Sequence, residues 1–185
     1  MTPLIIRISQ KIDAFTNAFG KSLSWLTLLM AMLTFAVVIL RYMLNLGSVA
    51  LQESVLYLHA LVFMGASAYT LMHDGHVRVD VFYRRLSPKF QAWINLAGTL
   101  LLLFPVCIFI TFISIRYVSS SWSILESSSE AGGLPGVFLL KSLIFLLSGT
   151  LLLQGVAEAI KNILIIADIV PAAHHKLEVD SHYNG

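Results

Sequence analysis

Four stretches of the chain are apolar for long enough to cross a bilayer as helices. They cover about residues 22–41, 51–72, 90–115 and 135–158. A hydrocarbon core of about 30 Å needs about 20 residues of helix. The first stretch is uncharged between Lys21 and Arg41, and the third holds 26 consecutive uncharged residues from 90 to 115. In the second the ionisable residues are Glu53 near its start and His59, and in the fourth Lys141 stands one to two turns in. A lysine there does not disqualify the span, because its long stem can carry the ammonium back to the headgroups. Lipid offers the backbone no hydrogen-bond partners, so each span must be a helix rather than a strand. The pattern therefore predicts an all-α fold, an integral membrane four-helix bundle occupying residues 21–165.

Two shorter segments have an interfacial pattern. In residues 4–19, Ile5, Ile8, Ile12, Phe15 and Phe19 recur at helical spacing, with Arg7, Lys11, Asp13 and Asn17 on the other faces. Residues 1–20 are therefore expected to form an amphipathic helix on the membrane surface, with Arg7 and Lys11 toward anionic lipid. Between spans two and three, Asp80 is placed to cap a short interfacial helix carrying Val81, Phe82 and Leu86. In that helix Arg84 and Arg85 would be exposed. Ser87-Pro88 then opens the third helix and Lys89 adds a further surface cation. Pro105 lies midway along the third span and is expected to distort it. The Ser- and Gly-rich stretch before Pro135 reads as a flexible loop, and residues 166–185 as a disordered tail.

Composition sharpens this picture. The chain is 57% hydrophobic and 12% charged, against roughly 45–50% and about 25% for soluble domains. Its first apolar run exceeds the roughly 7–15 residues of a signal-peptide core, so it reads as a retained span. The cations fix an orientation. Arg7, Lys11, Lys21, Arg78, Arg84, Arg85, Lys89, Lys161 and Lys176 fall on one side, against Arg41, Arg116 and Lys141 on the other. By the positive-inside rule both termini and the middle loop are expected in the cytoplasm.

Candidate chemistry is sparse. A lone cysteine, Cys107, excludes an intramolecular disulfide or a thiolate cluster, and one histidine within the spans cannot supply the axial ligands of a diheme bundle. No phosphate loop or hydrolase motif is present, so no enzyme activity, cofactor or metal is expected, and nothing points to nucleic acid. His59 reads as a helix-bridging side chain, and Glu53 shares its depth with Arg41 and Lys141. With Arg116 also near that depth, Glu53 is either a solvated carboxylate at the outer boundary or part of a charge cluster that pins the outer ends of spans one, two and four. Arg41, Glu53, His59 and Lys141 are thus the candidate structural or partner-interface residues.

Several pieces of the sequence together resemble a known family. They are Arg41-Tyr42, Gln52-Glu53, Gly65-Ala66, the run from His73 through Asp74, Gly75 and His76 to Asp80, Leu134-Pro135, Lys141 and Gln154-Gly155 with Glu158. Over residues 20–165 the chain resembles the small membrane (Q, DctQ-like) subunit of tripartite ATP-independent periplasmic (TRAP) transporters. It differs in having no tryptophan before Glu53 and a single acid there. The resemblance implies a non-catalytic bacterial inner-membrane subunit. It would support a large permease subunit of about twelve spans, and help to dock a periplasmic solute-binding protein that delivers an organic acid or similar solute. It also implies coupling to a cation, usually sodium. The competing readings are a self-sufficient small four-helix exporter and a membrane-anchored assembly or sensor protein.

Overall fold

A computed structural model describes residues 2–75, 83 and 85–169. The described residues are helical with connecting loops, and no strand occurs among them. Helix α1 runs Thr2–Met43, α2 Val49–Gly65, α3 Ser67–Met72, α4 Pro88–Gly98, α5 Phe104–Ser123 and α6 Val137–Ile166. A π-helical turn, Thr99–Leu103, joins α4 to α5. Four helical stretches are long and apolar enough to span a membrane: Leu4–Met43, Val49–Met72, Pro88–Ser123 and Val137–Ile166. The chain is a multi-pass membrane protein with the expected four-helix architecture.

Local sequence sets the helix ends. Ser48 accepts from the Leu51 amide at the start of α2, and Ser87 from the Phe90 amide at the start of α4, where Pro88 occupies a position with no amide to satisfy. Helices α2 and α3 form one span. The Ala66 amide still donates to the Val62 carbonyl, and the Thr70 amide to that of Ala66, both at 2.9 Å. The distortion expected from Pro105 is the π turn just before it, in which the Phe104 amide reaches back five residues to Thr99. Pro105 has no amide to donate, so the widened turn lies where the regular ladder is already interrupted.

Helix α6 is the centre of the bundle, packed against α1, α2, α3, α4 and α5. Its Gln154, Gly155 and Ala157 are buried. A side chain on Gly155 would overlap the Phe104 ring and Leu103, so this glycine sets how closely the π turn approaches α6. Gly149, the other glycine of that helix, has open space around it. Cys107 is buried, and beside it Thr111 donates to the Ser148 hydroxyl at 2.9 Å.

Helix α1 differs from the sequence expectation in being unbroken. The amphipathic segment and the first span form one helix of 42 residues, about 60 Å long at 1.5 Å per residue. Its bundle-facing stripe is Ser9, Thr16, Gly20 and Leu23, all buried. Ile5, Ile8 and Phe15 point away from the bundle and are exposed. Arg7 and Lys11 are exposed as well, and Ile12, Asp13, Asn17 and Phe19 are half-buried, so what packs inward is a narrow stripe of mostly small residues, with both apolar and charged side chains outside it.

The expected short helix at residues 80–86 lies largely outside the described residues, as does the tail from residue 170. The third helix begins at Pro88 and the fourth runs to Ile166, so both extend beyond the uncharged stretches that marked them. Pro135 precedes α6, which starts at Val137 after Gly136.

Candidate functional site

The polar side chains gather at the two ends of the bundle. One end carries the loops at residues 44–48 and 124–136. There the Glu53 carboxylate, on the first turns of α2, reaches across to the second loop. One oxygen accepts from the Ser128 hydroxyl and the other from the Leu134 amide, at 2.6 Å. The Ser128 amide donates to the Leu134 carbonyl at 3.0 Å, which closes the loop on itself. Gly132 adopts a φ of 78°, a left-handed conformation that favours glycine. At Gly133 a side chain would strike Ser128 and Glu53. This serine- and glycine-rich loop, expected to be flexible, is a hydrogen-bonded cap.

Lys141 belongs to the same cap with a different partner. Its ammonium pairs with Glu126 and lies 4.1 Å from the centre of the Tyr117 ring. Beside it the Trp122 indole donates to Ser142 at 2.8 Å, with its ring edge-on to Phe138. The Lys141 ammonium holds the Glu126 carboxyl below the usual carboxylate range. Its folded pKa is therefore lower than its unfolded one, so the pair contributes stability above the ordinary value of 4.5 that is lost as pH falls below it. In a variant retaining Trp122 alone, indole emission should stay constant from about pH 8 to 6 and change on acidification through the carboxylate range. Glu126→Gln should remove that acid step; an unchanged step in this variant would assign it to another group.

The structure does not assemble the expected outer cluster as one unit. Arg41 is exposed at the end of α1 and makes no ion pair among the described residues, so the Arg41–Glu53 bridge is absent. Glu53 and Lys141 hold two different points of one loop. His59 projects from the middle of α2 and is exposed, its ring stacked 6.3 Å from that of Phe63. Among the described residues it forms no hydrogen bond that bridges two helices.

At the other end the structure reveals a network that the sequence reading did not single out. Asp13 of α1 accepts from Lys161 and from Gln154 of α6, both at 2.9 Å. Lys161 also donates to Glu158 at 2.9 Å, and the Thr16 hydroxyl to the Gln154 side-chain oxygen at 2.8 Å. Gln154 is fully buried, and the side chains of Lys161, Asp13 and Glu158 are 15%, 20% and 14% exposed. Nearby a cavity of about 690 Å³ lies between α4, the π turn and α6, with Tyr83, Asn95, Thr99, Glu158 and Asn162 among its lining.

Among the membrane-surface candidates, Arg7, Lys11, Arg85 and Lys89 are all exposed at this end, and Arg84 lies outside the described residues. Lys89 forms an exposed ion pair with Asp168 at 2.5 Å, tying the start of α4 to the end of α6. Among the described residues no group of three His, Cys, Asp or Glu side chains is placed to hold a metal ion.

The sequence pattern described as "Tripartite ATP-independent periplasmic transporters, DctQ component" matches residues 30–164. That stretch is nearly three quarters of the chain and reaches into all four spans. No curated protein and no solved structure matches.

Proposed function

The chain belongs to the DctQ component family of tripartite ATP-independent periplasmic transporters, and from that premise we propose that it is the small, non-catalytic membrane subunit of such a transporter. In this reading it anchors and supports a large permease subunit of about twelve spans, and forms part of the surface on which a periplasmic solute-binding protein docks. The complex takes up an organic acid or similar solute, driven by a cation gradient, in our reading sodium. The observation that carries the proposal is the family match across all four spans.

The geometry supports a bracing role. Polar ties fasten both ends of the bundle, Glu53 and Lys141 at one and the Asp13–Lys161–Glu158 network at the other. We place the Glu53 end toward the periplasm and both termini in the cytoplasm of a bacterial inner-membrane protein, because nine of the twelve Lys and Arg residues fall on the terminal side. The Arg84–Arg85 segment and Lys89 then lie against the anionic inner leaflet, with Arg7 and Lys11 on the same surface. The cap built on residues 124–136 becomes the periplasmic face offered to the binding protein.

Affinity purification of the tagged chain in mild detergent, from cells carrying its neighbouring transport genes, tests this reading. A much larger membrane subunit should be recovered in near-equal amount. Recovery of this chain alone or as a homo-oligomer would favour the small-exporter or sensor readings.

A further inference from the structure

Helix α2 packs against α1 and α6 and turns one line of residues fully outward. Of its seventeen residues, Gln52, Leu56, His59 and Phe63 are exposed, and the remainder are buried or half-buried. Their spacing of four, three and four residues draws one narrow stripe along the axis, the width of a single packed helix. Leu56 and Phe63 in it are 55% and 69% exposed.

The chemistry of the stripe separates it from the lipid-facing surfaces. Helix α5 has a broad exposed face of Val106, Ile108, Phe109, Phe112 and Ile113, apolar as hydrocarbon requires. The exposed hydroxyls of α1 return to carbonyls of their own helix, Thr27 to Ser24 and Thr34 to Met30. His59 has no such escape. Among the described residues it makes no hydrogen bond, and its one ring contact is with Phe63. It sits ten residues after Val49 in the span Val49–Met72, so about 15 Å of helix separates it from that end. Its short side chain cannot reach the headgroups as a lysine does. A mid-span imidazole turned away from its own bundle leaves a ring donor and acceptor unmet in lipid, and such groups in spans face protein.

We propose that this stripe is the seam on which a transmembrane helix of the large permease subunit packs, with a hydroxyl, amide or carboxylate of that helix hydrogen-bonded to His59. The inference rests on the subunit reading above and specifies where the partner sits. One incoming helix fits the narrow stripe, and its polar group at mid-depth gives the contact register and specificity. Leu56 and Phe63 supply the apolar flanks.

The test places a photo-crosslinking amino acid at position 59, 63 or 112 of the tagged chain in membranes holding the whole complex. Positions 59 and 63 should yield an adduct of the mass of this chain plus the large subunit, and position 112 should not. His59→Leu should reduce recovery of the large subunit severalfold, and His59→Gln, which keeps a donor and an acceptor, should restore most of it. Adducts at 59 with lipid or a second copy of this chain, while the large subunit is fully recovered, would overturn the seam and leave the subunit reading intact. Undiminished recovery with His59→Leu would overturn the hydrogen-bond assignment. Failure of the unaltered chain to recover any large subunit would instead overturn the reading beneath it.

Discussion

Replacing Lys161 with methionine is expected to lower the stability of the bundle by on the order of 3 kcal/mol, the scale for breaking a buried ion pair from one side. The ammonium is the cation between Asp13 and Glu158, 2.9 Å from each, and all three side chains are no more than one-fifth exposed. Methionine fills similar volume, so the loss is electrostatic and leaves two carboxylates facing each other around Gln154. Asp13→Asn should cost less, because Lys161 keeps Glu158 and the asparagine oxygen can still accept. Thermal unfolding in detergent would show this order. Equal melting of Lys161→Met and the parent would mean that the network is solvated, and that apolar packing alone fastens α1 to α6.

The second large effect is expected at Glu53. Glu53→Ala removes both acceptors that hold residues 128 and 134, while Lys141–Glu126 still holds the base of the same loop. The cap should open over its middle, so protease with access to that end of the bundle should cut near residues 128–133 much faster than in the parent. Solute uptake by the whole transporter should fall severalfold without a change in solute preference. Glu53→Gln should lie between, since its amide offers one acceptor oxygen where the carboxylate has two. Arg41→Gln should leave the cleavage rate at the parent value, because among the described residues Arg41 forms no hydrogen bond or ion pair with Glu53 or the loop. Protection of the loop in Glu53→Ala would show that the Trp122–Ser142 and Lys141–Glu126 contacts suffice.

The two ends of the molecule also show what a sequence can and cannot disclose. The spans are legible because lipid imposes one rule on every residue, so long uncharged runs have few other readings. The motifs from Arg41 to Glu158 likewise carry a resemblance that agrees with the family match over residues 30–164. Partners are a different matter. Similar depth made Arg41 a plausible mate for Glu53, but depth does not fix azimuth. Glu53 faces the loop before α6, and its partners include a backbone amide, which no residue type announces.

Asp13 and Lys161 are 148 positions apart. Asp13 reads as one acid in a basic segment and Lys161 as a cation past the end of a span. The pairing becomes visible once α1 is unbroken and lies along α6. Only the Glu158–Lys161 spacing of three, neighbours on a helix, gave a local sign. For residues 4–19 the helical period was legible, but the choice of buried face was not. The rule that apolar side chains turn inward is reversed where lipid is the solvent, and there Ser9 and Thr16 are buried while Ile8 and Phe15 are exposed.

Reconstitution tests the central claim most directly. The chain would be placed in liposomes alone, with the large subunit, or with the large subunit and the solute-binding protein, under an imposed sodium gradient, and solute entry measured. The account predicts entry only when the large subunit and the binding protein are both present, and none from this chain alone. Gradient-driven uptake by liposomes containing only this chain would contradict it.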